Sequence, residues 1–83
     1  MEPEIEFAPP VFKHGVTRED ILHAYRTKIY DGQLEDYSNK FAFIGFSCSG
    51  NPIEVFYNPI GVDMIKVFHA MGCRNGTITQ LNP

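Results

Sequence analysis

Two turn signals, Ser49-Gly50-Asn51-Pro52 and Asn58-Pro59-Ile60-Gly61, divide the second half of this chain into three closely spaced apolar runs. Glycine, asparagine and proline supply the backbone geometry of tight turns. Strands joined by so few residues must lie side by side and antiparallel, because a parallel pairing needs a crossover of roughly a dozen residues or more. Lys40 to Cys48, with Phe41, Phe43, Ile44 and Phe46, reads as a central strand. Ile53 to Tyr57 alternates Ile53, Val55 and Tyr57 with Glu54 and Phe56. In Val62 to Ala70, strict alternation places Asp63, Ile65, Val67 and His69 on one face and Val62, Met64, Lys66, Phe68 and Ala70 on the other. Lys28 to Tyr30 and Gln33 to Glu35 add a short first strand, broken near Asp31-Gly32.

Ahead of the strands stands one well-signalled helix. Thr17 is a good N-cap, Glu19 and Asp20 occupy the turn where the helix dipole favours negative charge, and Val16 and Ile21 have the spacing of a hydrophobic staple. The helix is predicted over about 18–27, with Ile21, Leu22, Ala24, Tyr25 and Ile29 as its apolar face. Before it, Ile5 and Phe7 alternate with Glu4 and Glu6 as an edge strand or extended lead-in, which Pro9-Pro10 ends. The expected fold is α+β in two layers. An antiparallel β-meander of three to four strands packs its phenylalanine-rich face against one main N-terminal helix. A chain of 83 residues makes a single domain, 1–83, with 1–10 as lead-in and 75–83 as an irregular tail.

The composition narrows the function classes. Hydrophobic residues at 43% argue against disorder, and a net charge of −3 provides no general positive field for nucleic acid. Cys48 and Cys73, without a secretory signal at the Met-Glu-Pro-Glu start, read as free thiols. No apolar run approaches the roughly 20 residues of a membrane span, so a cytoplasmic protein with no membrane contact is expected. The histidines lack the spacing of a metal-binding helix, and no glycine-rich phosphate loop is present. Neither a metal nor an organic cofactor is expected.

The chemistry-bearing candidates are few. Lys13 and His14 are held against a glycine turn and a helix start, which suits a phosphate-binding cation and a proton-transferring imidazole. A solvent-facing loop pair is the plainer account. His69 lies near the end of the last predicted strand, with Arg74 beyond Gly72, where a general base and a charge stabiliser could act. A histidine satisfying a hydrogen bond at the sheet edge explains it equally well. His23 and Arg26 read as a solvated helix face, and Glu35, Asp36 and Tyr37 as an acidic turn. Cys73 adjoins Arg74 but has no base beside it in sequence.

The order of these motifs resembles the BrnT-type toxins of bacterial toxin–antitoxin systems. The resemblance rests on the Lys13-His14-Gly15-Val16 turn, the Thr17-capped helix with Glu19-Asp20, the strand Phe41-Ala42-Phe43-Ile44-Gly45-Phe46-Ser47, and Ile65-Lys66-Val67-Phe68-His69-Ala70, over about residues 5 to 74. It implies a RelE-like fold and metal-independent RNA cleavage by attack of the 2′-hydroxyl. Neutralisation by a small cognate antitoxin protein would follow. On this basis His14, Lys13 and His69 are the catalytic candidates, and Lys66 and Arg74 hold phosphate. The chain departs from the pattern where Lys66 and Met71 replace arginines and where 75–83 carries no lysine or arginine. A second reading follows from those losses: a catalytically inactive binding module of the same fold, acting through protein contacts at Tyr30, Tyr37 and Tyr57. The number of subunits is open in both readings.

Overall fold

The structure, a computed structural model, describes residues 3–34 and 39–72. In chain order it contains β1 (Glu4–Phe7), a 3-10 helix (Pro9–His14), α1 (Arg18–Arg26), β2 (Tyr30–Gln33), β3 (Phe41–Phe46), β4 (Pro52–Pro59) and β5 (Met64–Gly72). The strands form one five-stranded sheet in the order β1-β5-β4-β3-β2. The expected antiparallel meander against one main helix is therefore corrected to a mixed five-stranded sheet with two short helices. β2, β3, β4 and β5 pair antiparallel in succession, but β1 adds to β5 in parallel, from Glu4 beside Met64 to Phe7 beside Val67. The short-turn argument applies only to consecutive strands. Between the first strand and the last lies the rest of the domain, which is ample for a parallel crossover.

Two local expectations also change. β2 runs unbroken through Asp31-Gly32, which pair with Phe43 and Ala42 of β3, and the Tyr30 ring folds over the glycine: a Cβ there would lie 2.7 Å from the Tyr30 hydroxyl. On β5, strict alternation fails. Phe56 faces His69, whereas the next residue of β4, Tyr57, faces Val67, which leaves Phe68 as an extra residue in a β-bulge. Ala70 is thereby turned into the core with Ile65 and Val67, and His69 joins Lys66 on the opposite, outer face.

α1 starts as predicted. The Thr17 hydroxyl accepts from the Asp20 amide and the Asp20 carboxylate accepts from the Thr17 amide, both at 3.1 Å. At the other end the Thr27 hydroxyl donates to the His23 carbonyl at 2.8 Å and accepts from the Phe46 amide at 3.0 Å, pinning the helix terminus to β3. Ile21 and Ala24 are fully buried, whereas Ile29, beyond the helix, is 55% exposed and leaves the predicted apolar face. Val11, from the 3-10 helix, joins Val16, Ile21, Phe43, Val55, Val67 and Ala70 in one core between the helical layer and the inner face of the sheet. Among the described residues no helix is long and apolar enough to cross a membrane.

The closest joint in this core is between α1 and β3. A Cβ on Gly45 would lie 1.9 Å from the Ala24 carbonyl oxygen, so only glycine lets the helix backbone rest on the strand. A methyl at that position has backbone, rather than a yielding side chain, in its way. Gly45→Ala is expected to cost about 3 kcal/mol or more, a fall in Tm of about 12 °C or more. Gly72→Ala, whose added methyl meets nothing within 4 Å, should stay within about 0.5 kcal/mol of the parent. Thermal unfolding of both variants checks the contrast.

Candidate functional site

β1 stops at Phe7, opposite Val67, and the Ala8 amide closes the ladder by donating to the Val67 carbonyl at 2.9 Å. From Phe68 onward the margin of β5 is bordered by the 3-10 helix instead. Pro9 and Pro10 suit the first helical positions, where no amide donor is needed, and Val11 anchors the helix in the core. Gly15, with φ of 81°, ends it in a left-handed conformation that lets the chain turn directly into α1. His14 is thereby set against β5, and its ring meets that of His69 edge-on with centroids 5.7 Å apart. On its other side the His69 ring lies 4.8 Å from Phe56.

The sequence candidates are thus partly gathered. His14 and His69 touch, although they come from opposite ends of the described chain. Lys13 is exposed at the end of the same 3-10 helix as His14. Lys66 is exposed on the outer face of β5 between Glu6 of β1 and Asn58 of β4. Arg74 lies outside the described residues, as do Cys73, the Glu35-Asp36-Tyr37 turn and the 75–83 tail.

His14 also borders an open cleft of about 300 Å³ between the α1 start and the β3–β4 turn, walled by Asp20, Ser47, Ser49 and Asn51 over Val16 and Ile53. The turn is rigidly built. The Ser47 amide donates to the Asn51 carbonyl at 2.8 Å, the Asn51 amide to the Ser47 hydroxyl at 3.2 Å, and the Gly50 amide to the Ser47 carbonyl at 2.9 Å. Asp20 ties this turn to the helix, since its second carboxylate oxygen accepts from the Cys48 amide at 3.0 Å. That amide, followed by the Thr17 amide, holds the Asp20 carboxyl below its ordinary range. Desolvation, with the Asp20 and Glu19 carboxylates, pushes the exposed Cys48 thiol up and keeps it from becoming an activated nucleophile. Sequence reasoning missed this cleft: Asp20 is a plain helix-capping residue and the serines plain turn residues until the fold joins them.

Two other expectations are corrected. His23 is not on a solvated face; it is half-buried, with its Nδ1 2.7 Å from the Phe46 carbonyl oxygen. Tyr57 is buried, and its hydroxyl donates to Asp31 at 2.5 Å. Lys28 donates to the other oxygen of Asp31 at 2.8 Å and sits 3.9 Å from the Tyr25 ring centre. Burial and then the Asp31 carboxylate push the Tyr57 phenol up, so this tyrosine is a structural donor and not a docking residue. Tyr30 is occupied in covering Gly32, and Tyr37 lies outside the described residues.

Among the described residues no group of three or more His, Cys, Asp or Glu side chains is placed to hold a metal ion. Comparison with protein-family models, with curated proteins and with solved structures finds no match for the chain.

Asp20 makes the site's framework sensitive to acid. Its folded pKa lies below the ordinary value of 3.8, so the stability it contributes is present above that value and is lost as pH falls through the folded one. Asp20→Ala is expected to cost about 1 kcal/mol near pH 7, the usual scale for a lost cap. Urea unfolding of both proteins checks this, with the gap narrowing as the pH is taken to about 3.

Proposed function

We propose that this chain is a BrnT-like toxin of a toxin–antitoxin pair, acting as a metal-independent endoribonuclease. The contact between His14 and His69 carries the reading, because metal-free RNA cleavage needs two proton-transferring groups at one phosphate. The motif order supports it, as does the bulge that turns His69 away from the core. Edge-on rings 5.7 Å apart leave no room for a phosphate between them. The substrate therefore lies across their exposed edges. One imidazole takes the proton of the 2′-hydroxyl as its oxygen attacks phosphorus. The other gives a proton to the 5′-oxygen as the P–O5′ bond breaks. The products are a 2′,3′-cyclic phosphate and a free 5′-hydroxyl, with no net change in protons. Lys13 and Lys66 offer positive charge to the phosphate, as Arg74 does in the same reading.

A cognate antitoxin protein is part of this proposal and would cover the imidazole pair. The alternative, an inactive module that works by protein contact, draws on Met71, a half-buried residue at the position where the resemblance calls for arginine. Cleavage of total RNA in the presence of a chelator separates the two. His14→Ala and His69→Ala are each expected to lower the cleavage rate by about 10²–10⁴, and Lys13→Ala to lower it with folding intact. The parent should give a bell-shaped pH profile, since one imidazole must be neutral and the other protonated. A folded parent that leaves RNA uncut, yet forms a stable complex with the product of an adjacent reading frame, moves the assignment to the binding module.

A further inference from the structure

We propose that the cleft sharing His14 with the imidazole pair is a nucleoside pocket, which seats the nucleoside flanking the cleaved phosphate through a base bearing an amino donor. The inference rests on the nuclease reading and adds the subsite and its chemical class.

Three features argue for it. At about 300 Å³ the cleft is at the small end of ligand sites, which run from roughly 300 to 1,000 Å³, so it suits one nucleoside rather than a stretch of chain. Its walls combine an apolar floor of Val16 and Ile53 with the hydroxyl and amide groups of Ser47, Ser49 and Asn51, the mixture that holds a flat heterocycle and reads its edge. The turn carrying those groups is fixed by its own hydrogen bonds and by the bond from the Cys48 amide to Asp20, so it is ordered before anything binds.

The charge of the lining selects the part of the nucleotide. Asp20 is the acidic residue among the described ones in the wall, and no described lysine or arginine lines the cleft, so a phosphate is disfavoured inside it and belongs outside, near Lys13 and His14. A carboxylate has about four acceptor sites. The Thr17 and Cys48 amides each engage one Asp20 oxygen, which leaves acceptor capacity for the amino group of a base. Guanosine, with an amino group and a neighbouring ring N–H, should therefore bind more tightly than uridine.

The test is an NMR titration of the isotope-labelled full chain with guanosine, uridine and inorganic phosphate as separate probes. Guanosine is expected to shift the amides of Val16 and of Ser47 to Asn51, at lower concentration than uridine, while phosphate acts at Lys13 and His14 and leaves the turn unmoved. Ser49→Tyr, an exposed position at the cleft wall, should abolish the guanosine response and raise KM for RNA more than it lowers kcat. If guanosine leaves the turn amides of the parent unmoved, the pocket is overturned whatever the variant does. Equal responses to guanosine and uridine overturn the role given to Asp20. The nuclease reading is judged separately, by whether His14→Ala abolishes RNA cleavage. Cleavage lost in that variant beside a silent guanosine titration removes the pocket alone, and cleavage kept beside a positive titration removes the nuclease site alone.

Discussion

The contact between Gly45 and the carbonyl of Ala24 sets the distance between the two layers, and most of the structure depends on that distance. A helix resting directly on strand backbone brings the Thr27 hydroxyl within reach of Phe46 and the His23 ring within reach of the same residue's carbonyl. At the other end of α1 it brings Asp20 within reach of the Cys48 amide. Two of these bonds join the end of the helix to β3, and the third joins its start to the turn that follows β3. Each carries a modest net stabilisation, about 1 kcal/mol for neutral partners and more for the carboxylate, but together they fix the helix in rotation as well as in height. The cleft beside His14 is a by-product of that clamp. Its walls are the helix start and the strand end that the clamp holds together.

The imidazole pair has a different origin, in two interruptions of regular sheet. β1 is short because Pro9 cannot continue a ladder, and its end leaves the margin of β5 to the 3-10 helix. Along that margin the bulge at Phe68 adds one residue to β5, and His69 changes face. A regular five-stranded sheet of the same composition would keep His69 buried and His14 remote from it. Both interruptions belong to the kind of irregularity that sheets place where side chains must be re-aimed.

Much of this was legible in the residues, and the misses have physical reasons. Thr17, Asp20, Val16 and Ile21 mark the helix start because capping is local chemistry, complete within one turn of chain. The strands β3 and β4 and the turns around them are likewise announced by alternation and by glycine, asparagine and proline. The parallel pairing of β1 was not legible, since nothing in Glu4-Ile5-Glu6-Phe7 states which strand it joins. The bulge did leave a trace. Ile65, Val67 and Ala70 are spaced by two and then three residues, which strict alternation cannot place on one face. His14 and His69 could be named individually from their local surroundings, but their contact could not. The cleft was invisible because each of its polar residues already has a complete local explanation.

The pairing of β1 with β5 has a consequence for the order in which the molecule can be assembled. Of the described strands β1 is made before the others, yet it must wait for β5 before it has a neighbour. Until then β1 and the 3-10 helix have no sheet margin to dock on, and His14 has no partner. Closing so long a loop is slow compared with forming α1 or the β3–β4 hairpin. A nascent chain therefore carries the helix and the hairpin well before it carries the two-histidine arrangement. Whatever chemistry that arrangement performs is withheld until synthesis has passed β5.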